Sequence, residues 1–530
     1  MEKKSLSILM PASENDALPG GKIGGVGDVI RDVPVALAQL GHDVHVVVPS
    51  YGKFHLLDEA HHVCQQDIIF RGIAQQVNVY KIVGRYQKAR VTQWVIDHPN
   101  FLIDDKGSIY FDDGSERPFA SDANRFALFS EAVANAITNR VFGHIDVLHL
   151  HDWHTSFIAI LRAYDERFFA LKGLPTVFTI HNLSLQGIRP IEGDESSFSA
   201  WFPTLSVDGS KLVDPRYSNC INPMLAGINL ADKVHAVSPT YAKEILQPSN
   251  PVYGFIGAEG LEFALQRKAS EGNLIGILNG CEYLENSKIE TPQPTKKLEK
   301  LLQHCEATIL QWMDLDETPK ASHLVALSTI RRIIAKPSQP KLLLTSVGRL
   351  TPQKVAILLT KINHQQSVLD YLLEDVIGDD SLFVMVGSGN EQEENWIDSI
   401  AQRHSNFLFI KGYSQVLSDQ VFACGDLFLM PSSFEPCGIS QMLALRAGQP
   451  CVVHGVGGLN DTIFEQENGF VFYGKTPTEQ GQNFLAKVQE AIEVFQQDPR
   501  LWQQLVDNAR SSRFLWQDSV KLYVEHLYSN

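Results

Sequence analysis

Asp426-Leu-Phe-Leu-Met-Pro-Ser-Ser-Phe-Glu-Pro-Cys-Gly-Ile-Ser-Gln-Met-Leu-Ala-Leu-Arg-Ala-Gly448 is the stretch on which the reading of the fold turns. An apolar strand, Leu427 to Met430, passes into a Pro/Ser/Gly loop that carries one carboxylate, Glu435. A helix is predicted from about Gly438 to Gly448, and a second strand from Pro450 to Val453. Strand, loop, helix and strand make one unit of an open parallel α/β sheet, in which ligands sit beyond the carboxyl ends of the strands. The free N–H groups at such a helix start suit anionic or hydroxyl-rich ligands. An ordinary β–α turn has the same pattern, so Glu435 gains weight only from residues elsewhere in the chain.

Working outward, the 530 residues exceed a single core and predict two domains of roughly 200–280 residues. Composition is that of a globular protein, 44% hydrophobic and 20% charged. The net charge of −16 argues against a general nucleic-acid or anionic-membrane surface, so a phosphate ligand needs a few focused cations. The seven cysteines are odd in number, scattered, and form no C-x-x-C pair, which fits reduced thiols in a cytoplasm. The apolar run Leu6 to Met10 is too short for a signal-peptide core, and no run reaches the ~18 apolar residues that span a bilayer. A cytoplasmic protein is expected.

The same β–α logic recurs at other strand ends. Leu6 to Met10 reads as a first strand, and Pro19-Gly-Gly-Lys22-Ile-Gly24-Gly25-Val26-Gly27-Asp28 as a glycine-rich turn before a helix that ends at Gly41. The spacing is not G-x-G-x-x-G, so a dinucleotide fingerprint is not supported. Glycine lets backbone approach a ligand, Lys22 offers a point charge and Asp28 a carboxylate; a mobile loop with a solvated lysine fits equally. Ile145-Asp-Val-Leu-His149-Leu-His151-Asp152-Trp153-His154 is a strand ending in three histidines. It nearly matches the H-x-H-x-D-H ligand pattern of zinc hydrolases, but the aspartate and the variable position are exchanged, which points the carboxylate away. Thr176 to Ile180 is the next strand and ends in His181-Asn182. Strand ends bearing His, Asp and Asn around one crevice suit a sugar, whose hydroxyls need many hydrogen-bond partners.

Gln247 to Gly260 is rich in Pro and Gly and is the best candidate for a hinge. A second lobe opens with the strand at Lys341 to Val347 and the loop Arg349-Leu-Thr-Pro-Gln-Lys354. An arginine and a lysine there would flank a diphosphate with one bidentate and one point charge. Tyr413 fits either a nucleobase-stacking role or a place in the core, and Gly457-Gly458 forms another glycine turn before a helix. The aromatic tail Phe514 to Tyr528 reads as helical.

Taken together in order, Lys22-Ile-Gly-Gly-Val-Gly-Asp, His151-Asp-Trp-His, Thr179-Ile-His-Asn, Ser238-Pro-Thr-Tyr, Ile277-Leu-Asn-Gly, Arg349-Leu-Thr-Pro-Gln-Lys, Pro431-Ser-Ser-Phe-Glu-Pro-Cys-Gly and Gly457-Gly-Leu-Asn-Asp-Thr form a specific set. In these segments the chain resembles bacterial glycogen and plant starch synthases, retaining glucosyltransferases of the GT-B fold. The resemblance implies an α/β protein of two Rossmann-like doubly wound lobes facing a cleft. Residues 1–245 would form an acceptor-side lobe, completed by a helix at 514–530 that crosses back, and residues 246–513 the nucleotide-sugar lobe. It implies ADP-glucose (or UDP-glucose) as donor and the non-reducing end of an α-1,4-glucan as acceptor, with no metal and no other cofactor. By the same resemblance Arg349 and Lys354 neutralise the leaving diphosphate. Gly24, Gly25, Gly457 and Gly458 offer it backbone N–H groups, and Lys22 lies nearby. Glu435 holds glucose hydroxyls with the Cys437 and Gly438 amides, His151 contacts the sugar, Tyr413 lies against the base, and Asp28 and Asn182 face the acceptor side.

The chain departs from the family pattern where Ser433 replaces Arg, Val355 replaces Gly, Val456 replaces Thr and Pro223-Met224-Leu225 replaces Phe-Leu-Lys. Fewer cations near a diphosphate point either to weaker donor binding or to a different donor. A catalytically weak glucan-binding or regulatory relative is therefore the alternative, and a zinc hydrolase the remote one. Leu443, eight positions after Glu435, supplies no second carboxylate, so Glu435 is expected to orient the sugar rather than act as nucleophile.

Overall fold

Long β-branched and apolar runs form the strands here, and helices with one buried face fill the intervals between them. The computed structural model describes residues 5–84, 88–283, 294–315, 320–336, 338–364, 366–378 and 380–529. Packing divides the chain into two units, one of Met1–Ser249, Ile256–Gly280 and Trp516–Asn530, the other of Asn250–Phe255 and Cys281–Leu515.

The first unit is built on strands β1 (Ser7–Pro11), β2 (Asp43–Pro49), β3 (Ala60–Phe70), β4 (Ile73–Ile82), β5 (Val91–Asp97), β6 (Val147–His151) and β7 (Thr176–Ile180). A two-strand ribbon follows, β8 (Arg189–Pro190) with β9 (Cys220–Ile221), and then β10 (Lys233–Ala236) and β11 (Leu274–Gly276). The large sheet has the order β11-β10-β7-β6-β1-β2-β5-β4-β3. Pairing is parallel from β11 through β5, and β4 and β3 are antiparallel. Every residue of β6 and β7 is buried, as expected of strands covered on both faces. The helix Gly25–Gln39 follows the glycine-rich turn, and Gly41 ends that segment at φ +92°, a conformation glycine adopts without a side-chain clash.

The sequence places a boundary at 245/246. Packing instead keeps Ile256–Gly280 with the first unit, because β11 pairs in parallel with β10. Only Asn250–Phe255 from the Pro/Gly-rich stretch belongs to the second unit. The helix Trp516–Leu522 returns to the first unit, where Trp516 Nε1–H donates to Asp32 (3.1 Å) and Ser519 Oγ–H to the Leu278 carbonyl (2.7 Å).

The second unit has strands β12 (Leu342–Val347), β13 (Ser381–Gly387), β14 (Phe407–Lys411), β15 (Leu427–Met430), β16 (Cys451–His454) and β17 (Gly469–Phe472). They form a six-stranded parallel sheet, β14-β13-β12-β15-β16-β17. Side chains alternate between two buried cores. Leu343, Leu382 and Val384 pack on one face, and Leu342, Leu344, Phe383 and Met385 on the other. The deciding stretch folds as expected up to Met430, but its helix runs over Ser440–Ala447. Gly438, the expected helix start, stands at φ +78°, so the helix opens two residues later.

Candidate functional site

In the second sheet the strand order reverses between β12 and β15, so the loops leaving those two strands part at the carboxyl edge, where sheets of this kind hold ligands. The β12 loop carries Arg349, and the helix Pro352–Leu359 that follows carries Gln353 and Lys354. Across from it the β15 loop carries Glu435, whose carboxylate pairs directly with the Lys354 ammonium. The Glu435 side chain is 7% exposed and that of Lys354 24%, so the buried carboxylate is held by a cation that still reaches solvent. Backbone bonds join the same loops. Ser433 N–H and Oγ–H both donate to the Gln353 carbonyl (2.9 and 3.1 Å), and Gln353 Nε2–H donates to the Phe434 carbonyl (2.8 Å). Arg349 is exposed, and among the described residues it makes no hydrogen bond or ion pair.

The glycine pair has a steric task beyond conformational freedom. A Cβ on Gly457 would stand 1.8 Å from the Glu435 carbonyl oxygen, and one on Gly458 2.2 Å from that of Cys437. The loop bearing Glu435 therefore lies directly on the short helix Gly457–Asn460. The Gly458 amide donates to the Glu435 carbonyl (3.1 Å), so it already has an acceptor within the protein. Cys437 is buried, and Gln441 Nε2–H bonds the Cys437 and Gly438 carbonyls (3.2 and 3.0 Å). Among the described residues, Ser432 Oγ and Gln441 Oε1 are buried without a partner. Tyr413 is 53% exposed, which removes it from the core, and its hydroxyl donates to Gln415 Oε1 (2.6 Å). The departures also have places. Val355 and Met224 are buried apolar residues, and Val456 caps the Gly457–Asn460 helix.

The first unit shows the same reversal between β1 and β6. After β1, Glu14 is 2% exposed and accepts from the Ile23 and Gly24 amides (2.8 and 2.7 Å) and from the Tyr110 hydroxyl (2.8 Å). The glycine-rich turn is thus held by an internal carboxyl side chain, and the Gly24 amide is taken. Gly25 opens the helix beside it. Lys22 and Asp28 lie together, Nζ to Oδ1 2.6 Å, with Arg31 also near Asp28 at 3.3 Å. Burial pushes the Asp28 carboxyl up, opposed by Lys22. Glu14 carries no sequence signal beyond its place between the first strand and the glycines.

At the ends of β6 and β7 the histidines gather. His149 and His151, two apart on one strand, point to the same face, and their rings stack at 4.5 Å. His151 Nδ1 lies 3.0 Å from His181 Nε2, and His151 Nε2 is buried with no partner among the described residues. Burial holds His149 and His151 far below the usual imidazole range, His181 and His154 at about 3 and His235 at about 4. Asp152 takes φ +53° and accepts from the His181 amide (2.7 Å); burial raises its carboxyl to about 7. Asn182 turns its Oδ1 to the Ser184 amide and hydroxyl (3.1 and 2.7 Å).

The zinc arrangement fails on this geometry. His149 is bonded to Tyr528 and Thr179, Asp152 to backbone amides, and His154 packs on Trp153 at 4.3 Å, so the four do not converge. Among the described residues no cluster of three ligand-type side chains could hold a metal ion. Likewise, among them no helix is long and apolar enough to cross a membrane. His235 and Tyr528, which complete the histidine group, escape sequence reasoning because strand register and a distant helix bring them in.

Comparison with known proteins agrees with both halves. Residues 7–267 match the family model for the starch synthase catalytic domain, and residues 328–510 that for glycosyl transferases group 1. The glycogen synthase of Clostridioides difficile is 32% identical over 528 residues, covering 96% of each chain. That of Photobacterium profundum is 30% identical over 541 residues, covering 99% of this chain and 95% of the relative. Among solved structures, the catalytic domain of Starch Synthase IV from Arabidopsis thaliana, bound to ADP and acarbose, superposes with a TM-score of 0.73. It is 25% identical over 99% of both chains. A sucrose-phosphate synthase from Thermosynechococcus elongatus, 13% identical over 98% of both chains with a TM-score of 0.54, shares the fold alone.

Proposed function

The chain belongs to the glycogen and starch synthase family of glycosyltransferases, and from that premise we propose that it moves glucose from ADP-glucose to the non-reducing end of an α-1,4-glucan with retention of configuration. Its two parallel-sheet units are those of the GT-B fold. The observation that carries the reading is the pairing of Lys354 with Glu435 at the reversal point of the second sheet, with the exposed guanidinium of Arg349 on the same loop system.

In this reading the second unit holds the donor. A departing diphosphate develops negative charge, and Lys354 and Arg349 stabilise it without reorganising, Lys354 because Glu435 already fixes its ammonium. Glu435 accepts from glucose hydroxyls, and Tyr413 offers an exposed ring to the base. Gly457 and Gly458 act by letting the Glu435 loop lie close to the Gly457–Asn460 helix, and the Gly458 amide, bonded to the Glu435 carbonyl, serves that packing rather than a phosphate. In the first unit, His151 presents its unpartnered Nε2 to the sugar. Lys22 and Asp28 form a polar pair beside Gly24 and Gly25, and Asn182 serves the acceptor side. The cytoplasm is the proposed compartment, in keeping with seven free cysteines.

That Lys354, Glu435, Arg349 and His151 are all kept favours a working enzyme over a silent relative. Transfer of labelled glucose from ADP-glucose to glycogen by the pure protein is the expected result. Intact glycogen binding with no incorporation would overturn it, and a thermal-shift comparison of ADP-, UDP- and GDP-glucose reads the donor base.

A further inference from the structure

Four side chains from three strands and the returning helix form one hydrogen-bond chain in the first unit. Tyr528 Oη lies 2.7 Å from His149 Nδ1, His149 Nε2 2.6 Å from Thr179 Oγ1, and Thr179 Oγ1 3.0 Å from His235 Nδ1. The last link is His235 Nε2 to the Ile277 carbonyl, 3.1 Å. All four side chains are buried. Register accounts for the inner link, since His235 of β10 stands opposite Thr179 of β7, and His149, two residues before the His151 that faces Thr179 across the ladder, shares that face of the sheet.

The direction of every proton in this chain follows from its far end. A carbonyl only accepts, so His235 Nε2 carries the hydrogen. Both imidazoles are neutral in this burial, so His235 Nδ1 is a bare lone pair and the Thr179 hydroxyl donates to it. Thr179 has then spent its only hydrogen, and His149 Nε2–H must donate to it. His149 Nδ1 is left bare and accepts from the Tyr528 hydroxyl. One arrangement satisfies every link, so both ring nitrogens of His149 are held and its plane is fixed.

That plane faces His151, at 4.5 Å between ring centres and 19° between planes. The helical segment that delivers Tyr528 is wound to match. Tyr523–Leu527 is a π-turn, closed by the Tyr528 amide donating to the Tyr523 carbonyl (3.0 Å), and it sets both tyrosine rings against His149.

We infer that Tyr528 is a positioning residue for His151, closing a one-way hydrogen-bond chain that fixes the plane of His149 and through it the plane of His151. The inference rests on the proposed contact of His151 with the sugar. Tyr528→Phe keeps the ring and removes the hydroxyl. It should lower kcat ~10-fold, the scale of one supporting hydrogen bond, with KM for ADP-glucose within about 2-fold. In a His151→Ala background the same change should cost nothing further, because its route is gone. Nitrogen-15 NMR of histidine-labelled protein should show His149 as the Nε2–H tautomer in the wild type and a changed signal in Tyr528→Phe.

Wild-type kcat in Tyr528→Phe, or an equal loss in both backgrounds, overturns the inference while leaving His151 in its role. An Nδ1–H tautomer at His149 overturns the chain itself. Wild-type kinetics in His151→Ala would overturn the proposed role of His151, and the inference with it, whatever the tautomer signal.

Discussion

The loops leaving β12 and β15 carry an ammonium, a carboxylate and an exposed guanidinium, whereas β6 and β10 carry imidazoles that burial keeps neutral. Both sets stand on parallel strands, the first at the reversal between β12 and β15 and the second on the strands to one side of the reversal between β1 and β6. Depth separates them. Lys354 keeps a quarter of its side chain in solvent while it contacts Glu435, so it can meet an anion. His149 and His235 have no exposed surface, so they can act only through the direction of their hydrogen bonds. One topology thus offers two candidate sites, one suited to act by charge and the other by orientation.

The largest test of that contrast is on the charged side. Lys354→Ala and Glu435→Ala should each lower turnover ~10²-fold or more, the scale of losing one preorganised charge contact, with circular dichroism unchanged. Wild-type kinetics in either variant would remove that residue from the site and with it the contrast. A smaller effect is expected at Tyr413, the exposed aromatic of the same unit. Tyr413→Ala should raise KM for ADP-glucose ~10-fold, as loss of one base-stacking surface does, and shift stability by less than about 0.5 kcal/mol. An unchanged KM would take the base away from this ring.

The neutral side should show itself in acid, with the smallest effect of the three. His235 titrates at about 4 in the fold and near 6.5 unfolded, so between those values the unfolded chain binds more protons. Stability from His235 is therefore present above about 6.5 and lost as pH falls toward 4. Asp152 and Glu131, both raised to about 7 by burial, act with the opposite sign: the stability they add when protonated is lost as pH rises through 7. Comparison with His235→Asn isolates the histidine. Denaturant unfolding across pH ~4 to ~6.5 should give a stability slope shallower by about one proton in the variant. An unchanged slope would mean that His235 is charged in the fold, and the proton order of the chain would fall with it.

Much of this is legible along the chain. Leu427 to Met430 and Thr176 to Ile180 read as strands with the bounds they have, because a continuous apolar run between turn residues has few other uses. Arg349, Lys354 and Glu435 stand out as charged residues just past buried strands, and two of them are in contact. The glycine pair at 457 and 458 reads as backbone for phosphate. Its tight packing on the Glu435 loop depends on a neighbour some twenty residues away and has no local signature. Tyr413 is decided only by its exposure, since an aromatic after a strand serves the core or the surface equally well.

Periodicity, glycine turns and ordered motifs suffice for the two α/β units, the family and the strand ends where the candidate site residues stand, because each is written within a short run of consecutive residues. Tertiary structure alone decided which of those residues meet. It gave Glu14 to the Gly24 turn, kept 256–280 with the first unit through the pairing of β11, and brought Tyr528 to His149 across 379 positions. It also decided charge state. Whether a histidine is a cation or a fixed, neutral link depends on how much water the fold leaves around it, and that quantity is set by neighbours remote in sequence.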